Sequence, residues 1–177
     1  MRRNGQPAMR GKGFTLVELC IVIAIIGIGA MLAGSSVLQW IDHNRSVGFH
    51  RELFSRVEDA RTMAFSSRRQ HRLVVDFSAR TVAVERGNAG ANSTSWTTVK
   101  SPVSAPFGAV IDSVLTTTPG GATTMSTSGT VAITFNPAGD TFPSDLVRFR
   151  ISNTLGEQWT IRVFGWTTRA RLENGCS

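Results

Sequence analysis

The sequence predicts an α+β protein in which one long N-terminal helix, membrane-embedded first and amphipathic afterwards, packs on an antiparallel β-sheet domain. Three observations predict it. Residues 14–38 form a nearly unbroken apolar run, residues 47–64 repeat apolar side chains at helical spacing, and from Arg72 onward the period shortens to two. A helix followed only by strands gives α+β architecture rather than an alternating one.

The chain has 177 residues, enough for one compact domain and an appendage. Its charge is uneven. The first thirteen residues carry Arg2, Arg3, Arg10 and Lys12 and no acid, so residues 14–177 keep only a small basic excess of the total +7. Most of the positive charge therefore reads as a targeting feature, and the remainder is a weak hint of an anionic partner. The two cysteines, Cys20 and Cys176, lie in the apolar run and next to the C-terminus. An internal disulfide would draw the C-terminus into a bilayer, so none is expected.

From Phe14 to Leu38 the polar side chains are Thr15, Glu18, Ser35 and Ser36, and there is no proline. Twenty-five residues at about 1.5 Å each span roughly 37 Å, enough to cross a hydrocarbon core. The basic residues before the span put the N-terminus in the cytoplasm and the remainder across the membrane. A secretory signal peptide is the rival reading. Such a signal has a shorter apolar core, of about 7–15 residues, before a small-residue cut, and Ala30 to Gly34 would offer one. Glu18 is costly inside a membrane and calls for a polar partner within an assembly.

After Trp40, an interfacial type of anchor, Val47, Leu53, Phe54, Val57, Ala60 and Ala64 recur at helical spacing, with Arg51, Arg56, Glu58 and Arg61 on other faces. One helix from about Phe14 to Ser67 is expected, or two if Asp42 or Asn44 caps a second. Residues 72–77 and 81–85 read as a hairpin around Ser78-Ala79-Arg80. Residues 87–130 carry only Lys100 and Asp112 as charges. Within them Trp96–Val99 and Ala109–Leu115 are short strand candidates, and Thr116–Gly129 reads as loop. Clearer strands follow at Thr130–Phe135, Leu146–Ser152 and Gln158–Phe164, with a short last one at Arg169–Leu172. Turns at Asn136-Pro137-Ala138-Gly139 and Asn153-Thr154-Leu155-Gly156 separate them.

Catalytic patterns are missing from the sequence. His43 and His50 can share a helix face, but no cysteine or third histidine completes a metal set with them or with His71. Asp140 and Asp145 flank a loop too poor in oxygen ligands for calcium. Phosphate-loop and nucleophile-elbow sequences are lacking. The expectation is a non-enzyme with no cofactor and no metal.

The boundary Gly13-Phe14-Thr15-Leu16-Val17-Glu18-Leu19 joins a basic leader ending in glycine, an aromatic residue and a lone glutamate five residues on. It resembles the signature of type IV pilins and type II secretion pseudopilins. The resemblance implies a leader over residues 1–13, a transmembrane or filament-core helix over 14–40, its amphipathic continuation over 41–70, and a periplasmic β-rich domain over 71–177. It implies that a prepilin peptidase cuts after Gly13 and N-methylates Phe14, and that Glu18 neutralises the amino terminus of a neighbouring subunit. Met9 would serve equally as a start, with the cut unchanged.

Ala60-Arg61 within Glu58–Ala64, Phe135-Asn136-Pro137-Ala138-Gly139, and Val163-Phe164-Gly165 before Thr168-Arg169-Ala170-Arg171 resemble the GspH/FimT family of minor pilins and pseudopilins. This implies a pilin-like fold and a single-pass inner-membrane protein that enters a periplasmic or extracellular filament. The implied partners are other pilin subunits and an inner-membrane assembly platform. An H-type minor pseudopilin of type II secretion is the first reading, favoured by the lack of a proline near Ser35. The second is a minor pilin of a type IV pilus machine. Some relatives there bind DNA through Gly-Arg-x-Arg; Thr168 replaces the glycine here, while Arg169 and Arg171 match. Arg148 and Arg150 form a second i, i+2 pair able to clamp phosphates. Arginines on a solvated sheet face are the plain alternative.

Overall fold

A computed structural model describes residues 15–141 and 144–174, with the side chains of residues 32–35 and 174 left aside. Gly13, Phe14, Met9 and Cys176 lie outside the described residues, as does Phe142-Pro143. Helix α1 runs from Leu16 to Ser67 without a second start at Asp42 or Asn44. By contacts the chain divides into two units, Met1–Gln39 and Trp40–Ser177.

In the first unit every described side chain is exposed, among them Leu16, Ile21, Ile25, Ile26 and Met31. Thr15 opens the helix, its Oγ1 accepting the Glu18 N–H at 3.2 Å. Thr15-Leu16-Val17-Glu18 thus has the spacing of a capping box, and the carboxylate sits at the positive end of the helix dipole. Its hydropathy and length suit a membrane span.

In the second unit the same helix is a core element. Phe49, Leu53, Val57, Ala60 and Ala64 are buried, with Val47, Phe54 and Met63 packed against them. This is the stripe that the 3.6-residue period predicts, with Phe49 added. Two antiparallel sheets complete the core. One has the order β3-β2-β1-β6, built from Trp96–Ser104, Thr81–Gly87, His71–Asp76 and Thr130–Phe135. The other has the order β5-β4-β7-β8-β9, built from Thr123–Ser126, Ala109–Thr117, Leu146–Asn153, Gln158–Phe164 and Ala170–Asn174. Strand alternation is clean where a face is buried: in β7, Val147, Phe149, Ile151 and Asn153 point inward and Arg148, Arg150 and Ser152 outward.

The predicted hairpin is present, with Arg72 opposite Glu85 and Asp76 opposite Thr81. Two readings change. β3 continues to Ser104 through Pro102, where residue-to-residue pairing with β2 slips near Val84. Proline is tolerated on such an edge strand. The stretch Thr116–Gly129 is not all loop: β4 extends to Thr117 and turns through Thr118–Ala122 into β5, pairing Thr117 with Thr123. Its threonines are good strand formers, but both faces are exposed, so no apolar alternation marked them.

Candidate functional site

Three segments far apart in sequence meet where α1 ends. Arg61, Thr62 and Phe65 of α1, Ala138 and Gly139 of the turn after β6, and Thr167 and Thr168 before β9 line a groove of about 380 Å³. Arg61 Nε donates to Thr168 Oγ1 at 2.9 Å, and its Nη1 donates to Glu58 at 3.2 Å. These are the segments that carry the family resemblance in the domain.

The geometry explains two of those residues. An added Cβ at Gly165 would lie 1.9 Å from the Ser144 carbonyl oxygen and 2.7 Å from the Asp145 Cα. Gly165 N donates to Asp145 O at 2.6 Å while its own carbonyl accepts from Thr141 N at 2.8 Å. Only glycine allows the two backbones to approach so closely. Thr168 has a φ of 49°, the left-handed region in which a β-branched residue is strained. A glycine would occupy it freely. Thr168 is instead buried and held by its bond to Arg61, so the threonine exchanges backbone ease for a side-chain tie.

The arginines are distributed more widely than the i, i+2 pattern implied. Arg148 of β7 faces Arg162 of β8, and Arg162 faces Arg171 of β9. Residues directly opposite in antiparallel strands share a face, so three guanidinium stems stand in one row on the outside of the five-stranded sheet. Arg150 lies in the adjacent row, opposite Thr160. Arg162 was absent from the sequence-level set because only pairing between strands places it there. Glu173 enters the row, 2.9 Å from Arg162 Nε and 3.9 Å from Arg171 Nε. Arg169 precedes β9 and is exposed, its carbonyl accepting from Phe164 N at 3.0 Å.

At the other end of the unit, His43 Nδ1 lies 2.9 Å from both carboxylate oxygens of Glu157. That bond is the main reason the Glu157 carboxyl is held below its usual pKa. His50, a helix turn or two further on, is buried against Trp159 with ring centroids 5.8 Å apart. Burial, with the Arg51 charge second, lowers its pKa from 6.5 to about 4, so the ring is neutral at ordinary pH. Among the described residues no group of three or more His, Cys, Asp or Glu is placed to hold a metal ion.

Comparison with known proteins agrees with both ends of the chain. Residues 9–34 match the family model of the prokaryotic N-terminal methylation motif. No curated protein sequence matches the chain. Among solved structures, two of the minor pseudopilin EpsH from the Type 2 Secretion System of Vibrio cholerae share the fold. One aligns with a TM-score of 0.54 at 12% identity, covering 73% of this chain and 97% of that one. The other aligns with a TM-score of 0.51 at 14% identity, covering 77% and 99%. Identity this low speaks to the fold alone, and the function-bearing signal is the motif. The chain thus carries a prokaryotic N-terminal methylation motif where α1 begins, and it shares its fold with the minor pseudopilin EpsH.

Proposed function

We propose that this chain is a minor pseudopilin of a type II secretion system, entering or priming the periplasmic pseudopilus. One observation carries the reading: a methylation motif over residues 9–34 stands before a domain with the fold of a minor pseudopilin. In this reading prepilin peptidase cuts after Gly13 and methylates Phe14. The N-terminus faces the cytoplasm before cutting, and the domain lies in the periplasm. The protein acts as a structural filament subunit alongside other pilin subunits and an inner-membrane platform.

Glu18 has a defined role in this account. An α-amino cation and a carboxylate that enter a low-dielectric filament core each need the other, because an unpaired buried charge is costly. Glu18 of one subunit neutralises Phe14 of its neighbour. Glu18→Ala leaves leader cleavage intact, because the cut site is unchanged, and impairs incorporation into the filament. Site-directed crosslinking to neighbouring pilin subunits, with the mobility of the cleaved chain, reads both steps, and normal crosslinking of the variant would remove Glu18 from the mechanism.

The row of Arg148, Arg162 and Arg171 favours a second reading, a minor pilin that contacts an anionic polymer such as DNA. Strands about 4.8 Å apart place such a row on a scale suited to phosphates. Glu173 opposes it, and Thr168 in place of glycine departs from the DNA-binding pattern. DNA affinity falling steeply with salt, with a flatter slope in Arg169→Ala/Arg171→Ala, would support this reading.

A deletion in the source organism separates the two. Lost exoprotein secretion with normal pilus-dependent motility and DNA uptake supports the pseudopilin. The reverse pattern supports the minor pilin.

A further inference from the structure

We infer that the end of the domain nearest Trp40 is itself a lipid-contacting surface, with Phe107 and Leu155 inserted into the membrane interface beside the anchor. The inference rests on the membrane-anchored reading and not on which filament the protein joins.

Three apolar side chains are exposed on this end: Phe107 at 80%, Trp40 at 67% and Leu155 at 40%. They are brought there by two tight turns that meet each other and the helix. The turn before β4 closes with Ala109 N donating to Pro106 O at 3.1 Å. Thr154 N, in the turn between β7 and β8, donates to Gly108 O at 3.0 Å. Gly108 has a φ of 89°, and a Cβ there would stand 3.9 Å from the Asp42 carboxylate. Phe107 and Leu155 are therefore held on either side of the Gly108–Thr154 contact, at the level of Asp42. The hydrogen bond between His43 and Glu157 ties the turn between β7 and β8 to the helix.

Chain length names the occupant. Asp42 is four residues beyond Leu38, the last residue of the apolar run. Four residues span at most about 14 Å even when fully extended, whatever angle the chain takes. The interfacial region beyond the hydrocarbon core is of that order on each side. The turns at Asp42 thus lie at headgroup depth when the span is in a bilayer. Aromatic and aliphatic side chains are favoured there. Exposed apolar side chains clustered on one end of a soluble domain otherwise lack a partner. Insertion would hold the domain at the surface by three points instead of one, and extraction into a filament would have to release it.

The test uses the full chain in phosphatidylethanolamine/phosphatidylglycerol vesicles, with Cys20→Ser and Cys176→Ser removing the native thiols. An environment-sensitive fluorophore is placed at Thr154→Cys, between Phe107 and Leu155, with both kept. Companion labels sit at Ala122→Cys, in the turn at the opposite end of β4, and at Ile25→Cys in the span. Vesicles alone should blue-shift the Thr154 label, and lipids carrying a headgroup-depth nitroxide should then remove roughly half or more of its emission. The Ala122 label should stay unquenched. Adding Phe107→Ser and Leu155→Ser should return the Thr154 label to aqueous emission while the Ile25 label stays in lipid. Thr154 emission equal to that of Ala122, with Ile25 in lipid, overturns the inference alone. So does quenching that survives the double serine change, because tethering would then suffice. A blue shift without nitroxide quenching that grows with protein-to-lipid ratio overturns it in favour of a second copy. An aqueous Ile25 label overturns the anchored reading, and the inference with it.

Discussion

Helix α1 meets two different solvents along one element. Between Leu16 and Leu38 its described side chains are bare, Ile25 and Ile26 being more than 60% exposed. Between Phe49 and Ala64 its apolar stripe is fully covered, Leu53 at 1% and Val57 at 0%. The second region solves its hydrophobic problem inside the chain, against two sheets. The first leaves its described apolar side chains exposed, with the length and hydropathy of a membrane span. A helix apolar all round belongs in a membrane or a large core, whereas a striped one belongs on a sheet. Among the described residues of the first region, 15–39, no Lys, Arg or His accompanies the carboxylate of Glu18.

Changes in the covered region should be felt in folding, and the largest is expected at Gly165. A methyl placed 1.9 Å from the Ser144 carbonyl forces the two backbones apart. Gly165→Ala should cost about 4 kcal/mol, near the top of the range for single substitutions, read by denaturant unfolding. Next comes a matched pair that tests the comparison itself. Leu53→Ala should destabilise the domain by about 3 kcal/mol through transfer and cavity terms. Ile26→Ala, an equal kind of truncation in the bare region, should leave domain unfolding unchanged within about 0.5 kcal/mol. Equal losses from both would mean that the bare region is covered by the chain's own domain.

The smallest effect is expected from acid. Burial keeps the folded His50 pKa near 4, below the 6.5 of the unfolded chain. The unfolded state therefore binds the extra proton between those values, so stability is full above about pH 6.5 and declines as pH falls toward 4. The slope due to this group is at most about 1.4 kcal/mol per pH unit. His50→Phe keeps a ring against Trp159 and should flatten the profile in that window. An unchanged profile would assign the acid sensitivity to other groups.

What could be read from sequence follows from how local each signal is. The apolar span, the stripe from Leu53 to Ala64 and the β1–β2 hairpin depend on neighbours within a few residues, and all are present. The division into two sheets is not local. It rests on β1 pairing with β6, Leu73 opposite Ile133, across some sixty residues. The Thr123–Ser126 strand escaped notice because neither face is buried. The convergence of Arg61, Gly139 and Thr168 is likewise a product of tertiary packing. The close approach at Gly165 and the left-handed conformation of Thr168 give those two positions a physical reason. Thr15 is legible in the sequence as a helix start, since Thr-x-x-Glu before an apolar run is a helix-start signature.

In the pilin-like reading the bare region stays with the mature protein. Intact mass and N-terminal sequencing of the chain recovered from membranes test that directly. The prediction is a chain beginning at Phe14 with one added methyl group, the mass of residues 14–177 plus that methyl. A chain beginning within or after Ala30–Gly34 would show that the apolar run is a removed secretory signal, and would contradict the account.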